Sequence, residues 1–116
     1  MHELSLVEAL LESVTAEQQR HPGARVRCVR VRVGRLRQVA PSAMTFAWEA
    51  SVRETPLAGA RLELERVAAV ARCPACQKEF PVEERWFECP GCGATGGQLI
   101  SGDELQLAEI ELSPAV

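Results

Sequence analysis

Four of the five cysteines fall in two matched pairs, Cys73-Pro-Ala-Cys76 and Cys89-Pro-Gly-Cys92, with twelve residues between them. A tight turn after the first cysteine of each pair lets both thiolates face one centre. Two such knuckles complete a tetrahedron, which is the ligand spacing of a structural zinc site. The stretch from about Arg72 to Ile100 is too short and polar to fold on packing alone. Bound metal supplies the missing folding energy, on the order of 10 kcal/mol. Similar knuckles hold iron in rubredoxin-like electron carriers, so spacing leaves iron open beside zinc. Either way, four thiolates leave no open coordination position for substrate or water, and catalysis at the metal is not expected. Phe80, Trp86 and Phe87 are expected to pack around the sulfurs.

Outside the cysteine segment, periodicity marks out a second body. Ser5-Leu6-Val7-Glu8 has the form of a capping box, followed by an apolar stripe at Val7, Leu10, Leu11 and Val14. His21-Pro22-Gly23 ends that helix. From Arg25 to Val33 valines alternate with arginines as in a half-buried strand. The alternation slips by one residue at Cys28-Val29, which predicts a bulge or an early strand end. Cys28, alone in a valine-rich strand, reads as a small hydrophobe. Pro41 opens a second helix through about Arg53, with Met44, Ala47, Trp48 and Val52 on one face and Trp48 as its anchor. A second strand follows over Arg61–Glu65. A third, with another one-residue slip, is described by Leu105, Leu107, Ile110 and Leu112. The order implies an α+β fold: two helices packed on a three-stranded sheet, with an inserted zinc ribbon carrying the two knuckles. Residues 1–70 plus 101–116 form the α+β domain in this reading, and residues 71–100 the metal-binding one.

Charge narrows the function. The seven arginines from Arg20 to Arg37 meet no acid in that stretch, whereas after Cys76 eight acids oppose only Lys78 and Arg85. An acidic cysteine segment argues against nucleic acid as its partner. The arginines themselves read as the solvated face of the first strand or as a docking surface for an acidic partner. No apolar run is long enough to cross a membrane. Glu3, Glu8 and Glu12 stand where a secretory signal would be basic. Cysteines paired for metal rather than for disulfides point to the cytoplasm. With two histidines, no nucleophile–base pair and no phosphate-binding glycine loop, the chain is not expected to be an enzyme.

The remaining candidate site is Met1-His2-Glu3. A free α-amine, the amide nitrogen of residue 2 and the His2 imidazole can form fused chelate rings around one ion, and Glu3 can add an oxygen. Nitrogen-rich planar geometry of this kind suits Ni(II) or Cu(II). The residues alone leave this open against a chance histidine at position 2. Met-His-Glu, the amphipathic helix, the strand ending in Gly34, Val39-Ala40-Pro41 and Phe46-Ala47-Trp48-Glu49 follow in order. They are joined by Leu57-Ala58-Gly59-Ala60, the two Cys-Pro-x-Cys knuckles and Ile100-Ser101-Gly102-Asp103-Glu104-Leu105. Together they resemble the HypA/HybF family of nickel metallochaperones for [NiFe]-hydrogenase maturation. The resemblance implies that Met1, His2 and Glu3 bind the nickel that is transported, and that Cys73, Cys76, Cys89 and Cys92 hold structural zinc. It implies as partners a hydrogenase-maturation GTPase and the hydrogenase large-subunit precursor, with no nucleic acid and no membrane. Many members carry an acid at or beside positions 40 and 42 that assists at nickel; here those positions are Ala40 and Ser42. The competing reading is a zinc-ribbon adaptor for nucleic acid or protein, with no nickel function.

Overall fold

The computed structural model describes residues 2–84 and 86–114. The chain divides into two compact units, one of residues 1–32, 39–65 and 105–116, the other of residues 33–38 and 66–104. Its elements in chain order are α1 (His2–Gln19), β1 (Arg25–Gly34), a short 3-10 turn (Arg35–Arg37), α2 (Pro41–Val52) and β2 (Arg61–Val67), followed by β3 (Val70–Arg72), β4 (Glu79–Pro81), β5 (Gln98–Ser101) and β6 (Leu105–Ser113).

In the first unit α1 packs on α2 and against β6, over a sheet of order β2-β1-β6. Of the α1 stripe, Val7, Leu10 and Val14 are buried and Leu11 is half-buried, with Leu6 buried beside them. The helix begins at His2, so Ser5 lies inside it and is not its cap. Glu3 occupies the first turn, where a carboxylate faces the positive end of the helix, and the start does not depend on a Ser5 hydroxyl. The face of α2 is as read, with Met44, Ala47, Trp48 and Val52 buried. Trp48 is fully buried, and its indole N–H donates to the Ala60 carbonyl at 2.9 Å, so the large ring leaves no unsatisfied donor behind.

The sheet is mixed. Arg30 pairs with Glu63 and Arg32 with Glu65, in the same sense along β1 and β2, so these strands are parallel and α2 is their crossover. Ser113 bonds back to Arg25 while Gly34 bonds to Glu104, so β1 and β6 are antiparallel. Strand β1 does not end early. Arg25 and Arg27 are exposed beside buried Val26 and Cys28; then Val29, Val31 and Val33 are buried, so the burial phase shifts by one residue at Cys28–Val29. The phase of β6 shifts at Ala108–Glu109, nearly opposite, and the register between the two strands is the same at both ends. The paired shifts keep all four arginines of β1 off the core side. Arg30 lies among Glu63 at 2.9 Å, Glu109 at 3.1 Å and Glu111 at 3.3 Å, with carboxylates from both neighbouring strands. The carboxylates hold the Arg30 guanidinium still more firmly protonated, and the Arg30 hydrogen bond holds Glu63 below the usual carboxylate value. Cys28 is buried and its thiol pushed up by that burial, then by Glu63.

The second unit contains a sheet of order β4-β3-β5, antiparallel throughout. Its core is Leu36, Ala69, Ala71, Cys73, Phe80, Val82 and Cys89, with Phe87, Ala94 and Leu99 packed against it. Phe87 meets Phe80 edge-on, with ring centroids 5.9 Å apart. Trp86 departs from expectation: it is 72% exposed. Its neighbour Phe87 takes the inward place, packed against the core of this unit.

Candidate metal centre

The two knuckles are built as one turn used twice. In the first, the Cys73 amide donates to the Lys78 carbonyl at 2.9 Å and the Gln77 amide to the Cys73 carbonyl at 2.8 Å. In the second, the Cys89 amide donates to the Ala94 carbonyl at 3.0 Å and the Gly93 amide to the Cys89 carbonyl at 2.8 Å. The fourth residue after each first cysteine is left-handed, with φ 64° at Gln77 and 74° at Gly93. Glycine takes this conformation freely. Gln77 does so with its side-chain amide donating to the Pro74 carbonyl at 3.2 Å.

These turns bring the four cysteines together, with all Sγ atoms within 4.8 Å of one another. Cys73 and Cys92 approach to 3.5 Å, and Cys76 and Cys89 to 3.6 Å. A tetrahedral ion with metal–sulfur bonds of about 2.3 Å needs sulfurs about 3.8 Å apart, so the donor set fits such an ion with little adjustment. Cys73 and Cys89, the first of each pair, are buried; Cys76 and Cys92 are exposed.

Electrostatics divides the four thiols the same way. The Cys92 amide holds Cys89 down to about 6, with the Gly91 amide, 3.3 Å from its sulfur, assisting. The Cys76 amide likewise lowers Cys73. The Lys78 amide favours the Cys76 thiolate, but Cys89, burial and Cys73 outweigh it and push that thiol up. For Cys92 the Ala94 amide is outweighed by Cys73, burial, Cys89 and Cys76, leaving it at about 11. The thiolate is thus favoured at the first cysteine of each pair and disfavoured at the second. A divalent cation held by these four residues would favour the thiolate at all of them by neutralising the shared charge. Four thiolates on one ion would leave no open coordination position, and a metal held by Cys73, Cys76, Cys89 and Cys92 would supply a structural link. The sulfur-directed backbone amides were not anticipated from the cysteine spacing, although the Cys-Pro-Gly-Cys turn is the signal for one of them.

The other site read from the sequence is Met1-His2-Glu3. Met1 and the side chain of His2 lie outside the described residues. Glu3 is half-buried, and its Oε2 accepts from the Ala40 amide at 3.3 Å. Ala40 stands immediately before α2 and offers no side-chain cap to that helix. A carboxylate thus reaches the loop at residue 40 from α1, although residues 40 and 42 themselves bring none.

Comparison with known proteins bears on the whole chain. A family model described as hydrogenase/urease nickel incorporation, metallochaperone, hypA, matches residues 1–112. The chain belongs to the HypA family. This is a family of metallochaperones, not enzymes. This HypA-family chain is similar to the hydrogenase maturation factor HypA of Geobacter metallireducens, 41% identical over 112 residues that cover 97% of this chain and 99% of that one. It is similar also to the HypA of Methylocella silvestris, at 39% identity and the same coverage. In fold it resembles the solution structure of the Ni metallochaperone HypA from Helicobacter pylori. The TM-score is 0.72 and the identity 21%, over 98% of this chain and 99% of that one. Among the described residues no helix is long and apolar enough to cross a membrane.

Proposed function

We propose that this chain binds one Ni(II) through Met1, His2 and Glu3 and delivers it for [NiFe]-hydrogenase maturation, while zinc at Cys73, Cys76, Cys89 and Cys92 holds the cysteine segment in shape. The nickel site belongs to a domain of residues 1–70 plus 101–116, and zinc to residues 71–100. The observation that carries this reading is the family match from residue 1 to residue 112, which spans both motifs. The closed cysteine centre supports it from the other side. A site saturated by four thiolates is suited to retaining its metal and poorly suited to handing it on.

The cargo chelate is the Met1 amine, the amide nitrogen of residue 2 and the His2 imidazole, with Glu3 an additional oxygen donor. The Glu3 contact to Ala40 supports a first turn of α1 tied to the segment before α2, which would present a terminal chelate on a fixed base. Transfer is ligand exchange. An accessible chelate is approached by a maturation GTPase or by the hydrogenase large-subunit precursor, whose own donors replace these one at a time. Because the donors must lose protons, nickel affinity falls as pH drops below about 6.5, the ordinary value of histidine.

The test is nickel titration with metal analysis on three proteins: the chain itself, His2→Ala, and a form with two residues added before Met1. The expected result is one nickel per chain in the first and none in the other two, with one zinc in all three. Nickel binding that survives the added residues unchanged overturns the terminal chelate.

A further inference from the structure

The exposed face of the β2-β1-β6 sheet is electrostatically two-sided. At its middle, Arg30 is surrounded by Glu63, Glu109 and Glu111. Where β1 and β2 begin and β6 finishes, the balance is different. Arg25, Val26, Arg27, Gly59, Arg61 and Ser113 line a concavity of about 510 Å³, which among the described residues is bordered by three arginines and no acidic residue. The Arg25 guanidinium is held over Gly59 and donates to the Ala58 carbonyl at 3.4 Å, a neutral acceptor that leaves its charge uncompensated. Arg61 reaches Glu63 only at 3.9 Å, and Glu63 is engaged more closely by Arg30 at 2.9 Å. Among the described residues the Arg27 side chain makes no ion pair or hydrogen bond. Three permanent cations converging on one hollow repel one another unless an anion lies between them.

We infer that this hollow is a binding site for an oligophosphate anion. Guanidinium forks match phosphate oxygens two at a time, and adjacent phosphates spread charge over a span that three arginines can share. Gly59 has no side chain to fill the opening. The lining contains no aromatic ring and one valine, so nothing in it recognises a nucleobase. Inorganic tripolyphosphate and the phosphate tail of a nucleoside triphosphate therefore bind alike. An extended acidic peptide fits less well. To continue along the face it would pass Glu63, Glu109 and Glu111, which repel it.

The test is calorimetric titration of the full chain with inorganic tripolyphosphate at low ionic strength, without nickel, so its outcome is independent of the metal chelate. The expected result is saturable one-to-one binding that weakens as salt is added. GTP should bind within about threefold of tripolyphosphate. Arg27→Gln and Arg61→Gln should each weaken binding about tenfold, the scale of one lost charge-assisted contact. Arg35→Gln, which removes an exposed arginine outside the hollow, should change nothing. Circular dichroism melting of each variant establishes that it is folded. The inference is overturned by absence of saturable binding, by equal loss in Arg35→Gln, or by a hexaglutamate peptide that binds more tightly than tripolyphosphate.

Discussion

In the first unit the interior is large apolar side chains outside the cysteine cluster: Trp48, Met44, Val7, Val14, Val26, Val29 and Val31, with the lone Cys28 among them, are each less than 2% exposed. The second unit has a core of seven buried residues, of which two are alanines and two, Cys73 and Cys89, are sulfur donors of the cysteine cluster. Its strands are also short, three or four residues each, against seven to ten in the other sheet. Apolar burial is worth roughly 25 cal/mol per Å², and alanine side chains contribute little area. The first unit therefore has the larger share of packing to stabilise it, and the second has less, with two cluster thiols inside its core. The difference teaches that one short chain can place side by side in sequence a core built on large apolar side chains and a core that includes two sulfurs of a candidate metal centre.

The largest effect should come from breaking the second unit. Cys89→Ser, or a strong chelator added to the native chain, should abolish stoichiometric metal. Amide protection should then collapse across residues 66–104, because about 10 kcal/mol of binding energy is withdrawn. Protection in α2 should persist. Hydrogen exchange read by mass spectrometry checks both halves, and simultaneous loss in α2 would break the comparison. Trp48→Ala acts in the opposite place. It should cost about 3–5 kcal/mol in denaturant unfolding, through the cavity left by the ring and the Ala60 carbonyl left without its donor. Metal content, measured below the transition, should remain unchanged.

The smallest effect concerns the charged sheet face. Glu63 is lowered in the folded state by Arg30, so the contribution of the pair is complete above the ordinary value of 4.5. It is lost as pH falls through the lower folded value. Arg30→Gln should remove this dependence and move acid unfolding of the first unit to higher pH, by a small amount because the groups are exposed. An acid titration followed by circular dichroism checks it, and an unchanged midpoint would show that the cross-strand charges do not contribute.

Much of this arrangement can be read before any fold is seen. The knuckles identify themselves by spacing. Pro41 and the Met44–Trp48 face define α2, and the valines mark β1 and its phase slip. Other features depend on separations a linear pattern does not encode. The carboxylates around Arg30 come from 33, 79 and 81 residues away. The parallel pairing of β1 with β2 leaves no mark of its own in the alternation. Strands β3, β4 and β5 are shorter than any window in which period two can be recognised. Ser5 was misleading because a capping motif specifies a favourable start without excluding an earlier one. Of the candidate nickel site, the Glu3 carboxylate is described through its bond to Ala40, a contact across 37 residues that no motif announces.

The chain's two tryptophans, Trp48 with none of its surface exposed and Trp86 with 72% of it exposed, fall one in each unit. The molecule therefore carries its own pair of optical reporters. Buried indole emits toward the blue and is shielded from acrylamide; exposed indole emits toward the red and is quenched at once. A single unlabelled sample, excited at one wavelength, can thus record the fate of each unit separately as metal, acid or denaturant is varied.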